Sequence, residues 1–102
     1  MENFDKKVQW AIKEMSSLGY TPTYFLSMRA ETNSVTATKR LLHSKKIPDG
    51  FTKLWEMGRL DLSLENIVYS EDWGSLFTEE EKGIARKRLI DYKFMDLKGN
   101  KL

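Results

Sequence analysis

Apolar residues along this chain recur at helical spacing far more often than in strand-like alternation. Phe4, Val8, Ala11, Ile12, Met15 and Leu18 fall on one face at about 3.6 residues per turn. Asn3 suits an N-cap and Gly19 a C′ position, which predicts a first helix over about 4–18. Thr21 can cap a second helix, with Pro22 in the first turn, where a missing N–H costs nothing, and this helix runs to about Ala30. "ETNS" breaks it. Asn33 or Ser34 caps a third helix over about 35–44, with Val35, Thr38, Leu41 and Leu42 on one side. Pro48 disfavours helix at Ile47, and Asp49-Gly50 is turn chemistry, so "SKKIPDG" reads as a loop. A short fourth helix over about 51–57 ends at Gly58.

The next stretch carries two patterns at once. Leu60, Leu62 and Leu64 alternate as in a strand, whereas Leu64, Ile67 and Val68 have helical spacing. With no partner strand in sight, the reading is an extended lead-in, a cap at Asp61 or Ser63, and a fifth helix over about 64–70. "TEEEKGIARKRLIDYKF" is the clearest signal. Thr78 with Glu81 three residues on is a capping box, and Glu79, Glu80 and Glu81 crowd the positive end of the helix dipole. Lys87, Arg88 and Lys93 lie toward its negative end, and Ile84, Ala85, Leu89 and Tyr92 form the apolar face, weakened by Gly83. The predicted fold is all-α: a compact bundle of five to six short helices, one domain over residues 1–95, with a frayed tail at 96–102.

Composition narrows this further. The chain has 102 residues, 40% hydrophobic and 12% aromatic, enough for one core without a metal or disulfide. It contains no cysteine, which excludes disulfides, thiolate metal sites and cysteine nucleophiles. No apolar run approaches the roughly 18 residues of a membrane helix, and "MENFDKKVQW" places charges where a signal peptide needs apolar residues. The expectation is a cytoplasmic protein that does not engage a membrane.

Charge is unevenly distributed. Residues 29–59 carry a net +4, residues 60–81 a net −7 and residues 82–102 a net +5. Blocks of opposite sign either match internally or present a basic patch to an acidic partner. Arg88 falls inside the apolar arc of the sixth helix and needs an acceptor there, so Arg88 or Arg59 is expected to pair with Asp61 or Glu65.

Chemistry-bearing motifs are sparse. His43 is the single histidine and reads as an exposed or half-buried helix residue rather than an acid/base. Asp61, Glu65, Glu71 and Asp72 read as caps and ion-pair partners rather than a glycosidase pair. The glycines form no phosphate-binding loop. No catalytic residue, metal or cofactor is expected. Helices two and three could form a helix-turn-helix over residues 34–46, presenting Lys39, Arg40, His43, Lys45 and Lys46 to nucleic acid. The same residues also suit an ordinary solvated helix end. Trp10, opposite the apolar stripe and beside Lys6 and Lys13, has either a second buried contact or a place in an interface with a partner or a second copy.

Several motifs together resemble a group of small, uncharacterised bacterial and phage helical domains. They are Pro22-Thr23-Tyr24-Phe25-Leu26-Ser27-Met28, Arg40-Leu41-Leu42, the "GFTxLWExGRLDLSxE" core from Gly50 to Glu65, "LFTxEE" from Leu76 to Glu80, and "ARxRL" from Ala85 to Leu89. Asn33 stands where that group often has Gly. The resemblance implies a self-contained helical unit of bacterial or mobile-element origin and transfers no activity and no functional residue. The functional expectation is a non-enzymatic protein-interaction or accessory module; the alternative is a small nucleic-acid-binding protein.

Overall fold

The computed structural model describes residues 3–102. Six α-helices follow one another: α1 Phe4–Ser17, α2 Thr23–Glu31, α3 Ser34–Leu42, α4 Asp49–Glu56, α5 Leu64–Ser70 and α6 Glu79–Asp91. The all-α bundle predicted from periodicity is therefore the fold, and no strand forms among the described residues. Its radius of gyration, 12.7 Å, matches the roughly 13 Å of a single unit of this length.

Local chemistry explains most helix ends. The Asn3 side chain accepts the Asp5 N–H at 2.8 Å, Asn33 accepts Thr36 N–H at 2.8 Å, and Ser63 accepts Asn66 N–H at 3.1 Å. Thr78 and Glu81 close the full capping box. Gly19, at φ +87°, ends the α1 turn in a conformation that a side chain would strain.

Four boundaries differ from the sequence reading. Thr21 does not cap α2: Pro22 takes the cap position without a side-chain bond, and its carbonyl accepts Leu26 N–H at 3.0 Å. α4 begins two residues early, at Asp49, because Pro48 can precede a helix as its cap. The segment before α5 is a 3₁₀ turn, Leu60–Leu62, rather than extended chain. That turn buries Leu60 and Leu62 together, which a strand without a partner could not do. The tail expected to fray instead folds back. Asp96 accepts the Lys98 and Asn100 amides at 2.9 Å each, Met95 bridges to Lys101, and Met95 is 3% exposed. Side-chain acceptance by Asp96 closes this turn together with backbone bonds from Asp96 N–H to Asn100 O at 2.8 Å and from Leu102 N–H to Phe94 O at 3.1 Å.

The core gathers Val8 and Ala11 of α1, Ala37 and Leu42 of α3, Ile67 and Val68 of α5, and Ala85 and Leu89 of α6. Phe4 meets Trp73 and Phe77 edge-on, with centroids 5.1 and 5.0 Å apart. The Trp73 indole donates to Ile67 O at 2.8 Å, so its burial leaves no orphan donor. Leu18, placed on the α1 stripe by spacing, is exposed because the helix ends there.

α5 and α6 pack along their lengths. α2 packs on α3, and α4 leans on the Leu60–Leu62 turn, with the Trp55 ring 5.3 Å from Tyr92. A cleft separates α2 from α4.

Candidate functional site

The cleft has a volume of about 720 Å³ and a mainly apolar lining. Val8, Ala11 and Met15 of α1 line its deep part together with Ser63 and Glu65; all five are buried. Phe25 and Met28 of α2 face it from one side, and Ile47, Phe51 and Leu54 from the other. Exposed polar residues, Ser27, Glu31, Arg40, Lys46 and Asp49, mark the rim, with Tyr24 71% exposed among them. Tyr20 reaches in from the α1–α2 connection. Its hydroxyl lies 3.2 Å from where a Cβ at position 50 would stand, so Gly50 admits it. Gly50, expected in a turn, thus lies inside α4 for reasons of close approach. Burial, followed by the Asp49 carboxylate, pushes the Tyr20 phenol above its ordinary value.

Beneath the cleft lies a buried ion pair. Arg88 Nη1 donates to Glu65 Oε2 at 2.8 Å and to Leu41 O at 3.1 Å, while Nη2 donates to Leu42 O at 3.1 Å and Ser44 O at 3.3 Å. A guanidinium from α6 thus donates to three carbonyls at and just past the end of α3, of which Leu41 O also accepts from the Ser44 amide and hydroxyl. Both side chains are nearly inaccessible, at 7% and 5%. Burial pushes the Glu65 carboxyl up, and the Arg88 guanidinium pulls against that shift. Arg59 pairs separately with Asp61 through two bonds, Nε to Oδ1 at 3.0 Å and Nη2 to Oδ2 at 3.1 Å. Of the four residues singled out for pairing, each acid therefore has its own arginine.

The basic residues of α3 divide into two groups. Lys39 Nζ lies 2.7 Å from Glu81 Oε1 and 5.1 Å from the Phe77 ring centroid, and His43 Nε2 lies 2.8 Å from Glu81 Oε2. Burial acts to raise the Glu81 carboxyl, but Lys39, the Thr78 N–H and His43 outweigh it and hold it at about 2. Lys39 and His43 thus reach toward Glu81 on α6, with the His43 side chain still 46% exposed, while Arg40, Lys45 and Lys46 are exposed. The start of α3 is also covered. Ser34 is buried, donates to Asp5, and accepts from Arg29 Nε at 2.8 Å, while Arg29 Nη2 reaches Asp5 at 2.9 Å. The Ser34 hydroxyl, then Arg29, lower the Asp5 carboxyl below its usual value. A recognition helix inserts its N-terminal residues into the major groove, and here α1 occupies that end.

Trp10 is 44% exposed, so the second buried contact envisaged for it does not form. The ammonium above its ring is that of Lys7, 4.5 Å from the centroid, whereas Lys6 and Lys13 are exposed. Lys7 also lies 3.7 Å from Glu71. Among the described residues no group of three or more His, Asp or Glu side chains is arranged to hold a metal ion, and no helix is long and apolar enough to cross a membrane.

Sequence reasoning missed the cleft because its walls come from α1, α2 and α4, which are separate in the chain. One signal was available: Tyr24, Phe25, Leu26 and Met28 place apolar groups on several sides of α2, more than one buried face can use. Comparison with family models, with curated proteins and with solved structures gives no match.

Proposed function

We propose that the protein is a non-enzymatic interaction module, an accessory unit of the bacterial or phage kind that its motifs resemble, and that a partner protein inserts an apolar segment into the cleft between α2 and α4. The observation that carries this reading is the cleft itself: an apolar lining that runs from exposed Tyr24 down to the buried Val8 and Ala11, within a polar rim. Helix-in-groove and anchor-in-pocket recognition both use such a surface, with apolar contact giving affinity and rim polarity giving orientation.

The nucleic-acid alternative retains Arg40, Lys45 and Lys46 as exposed cations. The engagement of Lys39 and His43 by Glu81 counts against it.

A photocrosslinking phenylalanine analogue at Tyr24 tests the first reading in cells that express the protein. One crosslinked partner is expected, abolished by Ser27→Glu at the cleft rim. The same analogue at Lys87, exposed on α6 outside the cleft, should give none. Equal crosslinking from both positions would defeat the proposal. Fluorescence anisotropy with labelled duplex and single-stranded DNA at low and moderate salt tests the alternative; salt-dependent binding lost on Arg40→Ala and Lys46→Ala would reinstate it.

A further inference from the structure

Apolar exposure and excess positive charge coincide on the folded tail. Leu97 and Leu102 are 74% and 75% exposed, more than any other large apolar side chain among the described residues. They border a shallow depression with Ile90 and Met95, and Lys93 and Lys98 line it too. None of its residues lines the cleft between α2 and α4. The turn that presents this face is fixed. Asp96 Oδ1 accepts the Lys98 and Asn100 amides, Arg86 donates to Leu97 O, and Gly99, at φ +89°, closes the tip. Leu97 is thus held in water by a built turn, and little ordering is left for binding to do.

The charge around the two leucines has one sign. Lys93, Lys98 and Lys101 are exposed, and none forms an ion pair among the described residues. Lys101 lies 5.6 Å from the Phe94 ring centroid and, after Arg59, is the smallest contributor to the lowered Asp61 carboxyl. The two acids of this segment are engaged, Asp96 by the turn amides and Asp91 by Lys87 at 2.7 Å. Exposed Trp10 differs: Lys7 beside it faces Glu71, and residues 1–28 carry no net charge.

Two features choose the occupant. The guanidinium of Arg86 is committed to Leu97 O, so the cations that remain are lysines. They are point charges on flexible stems, without the planar fork that recognises a single carboxylate, and they suit a diffuse negative surface. Leu97 and Leu102 also project from the surface. A protein partner needs a matching pocket for each, whereas a fluid bilayer closes around a projecting side chain.

We propose that this face lies on an anionic lipid surface. Leu97 and Leu102 enter the boundary between headgroups and acyl chains, and Lys93, Lys98 and Lys101 meet the lipid charges. Such contact with one leaflet asks for no spanning helix, and it is independent of what the cleft holds.

Co-sedimentation of the full chain with vesicles tests it. Vesicles of phosphatidylcholine with about one-third phosphatidylglycerol should bind the chain about tenfold or more tightly than phosphatidylcholine alone, and less as salt rises. Lys93→Glu with Lys98→Glu should remove about tenfold of that affinity, and Leu97→Ser about three- to tenfold. Lys13→Glu with Lys53→Glu, the same charge change at exposed positions on α1 and α4, should cost less than about threefold. No binding to anionic vesicles at low salt would overturn the proposal. So would equal losses from the two charge reversals, or a Leu97→Ser variant that binds as wild type. Soluble polyglutamate binding as tightly as the vesicles would make the partner an acidic protein and overturn the lipid assignment.

Discussion

The α5–α6 side of the molecule and the α2–α4 side bury their helices to different degrees. On the first, Ile67, Val68, Ala85 and Leu89 are at most 1% exposed, Thr78 and Glu81 fix the start of α6, and the Arg88–Glu65 pair joins α6 to α5 and to the end of α3. On the second, α2 and α4 rest on different neighbours and leave about 720 Å³ between them. Apolar content does not account for the contrast, since α2 alone carries Tyr24, Phe25, Leu26 and Met28. What differs is whether each apolar face finds a partner within the chain. A closed side supplies stability; an open side keeps apolar surface available to something else.

The largest expected effect falls on the closed side. Arg88→Met removes the only side-chain partner of Glu65 among the described residues and takes a donor from the carbonyls of Leu41, Leu42 and Ser44. It should cost about 3–5 kcal/mol in urea unfolding. The loss should also depend on pH. With Arg88 gone, only a backbone hydrogen bond opposes burial, so the Glu65 carboxyl moves further up. A folded-state value above the unfolded one means that the native chain holds the proton more tightly, so the variant should regain stability as pH falls. An unchanged deficit between about pH 7 and pH 4 would show that Glu65 is not the buried charge left behind.

A matched pair of truncations compares the two sides directly. Leu89→Ala, where exposure is 0%, should fall near about 4 kcal/mol, because packed neighbours on α5 cannot close the hole. Met28→Ala, on the cleft wall, should cost about 2 kcal/mol, since the site is already open on one side. Equal costs would mean that the cleft wall is as tightly packed as the α5–α6 contact.

Glu81→Gln is expected to cost no more than Met28→Ala, about 2 kcal/mol at neutral pH, through loss of charge-assisted bonds to Lys39 and His43. The Glu81 carboxyl lies at about 2 in the folded chain, against 4.5 ordinarily. The unfolded chain binds the proton more readily, so this contribution is present above pH 4.5 and lost as pH falls toward 2. The difference between wild type and variant should shrink across that window. A constant difference would assign the effect to helix capping alone.

The sequence disclosed helices far better than it disclosed surfaces. Asn3, Asn33 and Ser63 were readable because a cap acts within three residues, and the Thr78–Glu81 box for the same reason. Arg88 could be flagged as needing an acceptor because its position in the apolar arc is a local property, although the choice of Glu65 over Asp61 is not. The 3₁₀ turn at Leu60–Leu62 was hidden by an alternation that short turns and strands share. The folded tail was hidden because Asp96 closes a turn that composition alone reads as fraying. Lys39 and His43 looked like a basic surface with Arg40 because the helix spacing shows which face they share, not that Glu81 waits 38 and 42 residues further on. The cleft, lined by residues of α1 through α5, had no local signature.

The reach of Arg88 has a kinetic consequence. It bonds to the carbonyls of Leu41, Leu42 and Ser44 across 47, 46 and 44 residues. The end of α3 is therefore completed by a helix that lies far beyond it in the chain. Until α6 docks, those carbonyls lack the guanidinium, Leu41 O is held only by Ser44, and the end of α3 frays and re-forms. Closing so long a loop is entropically slow and is rewarded only when the contact is complete. This couples α3 and α6 into one folding event, so a fragment ending before α6 should carry helix that flickers rather than a half-built bundle.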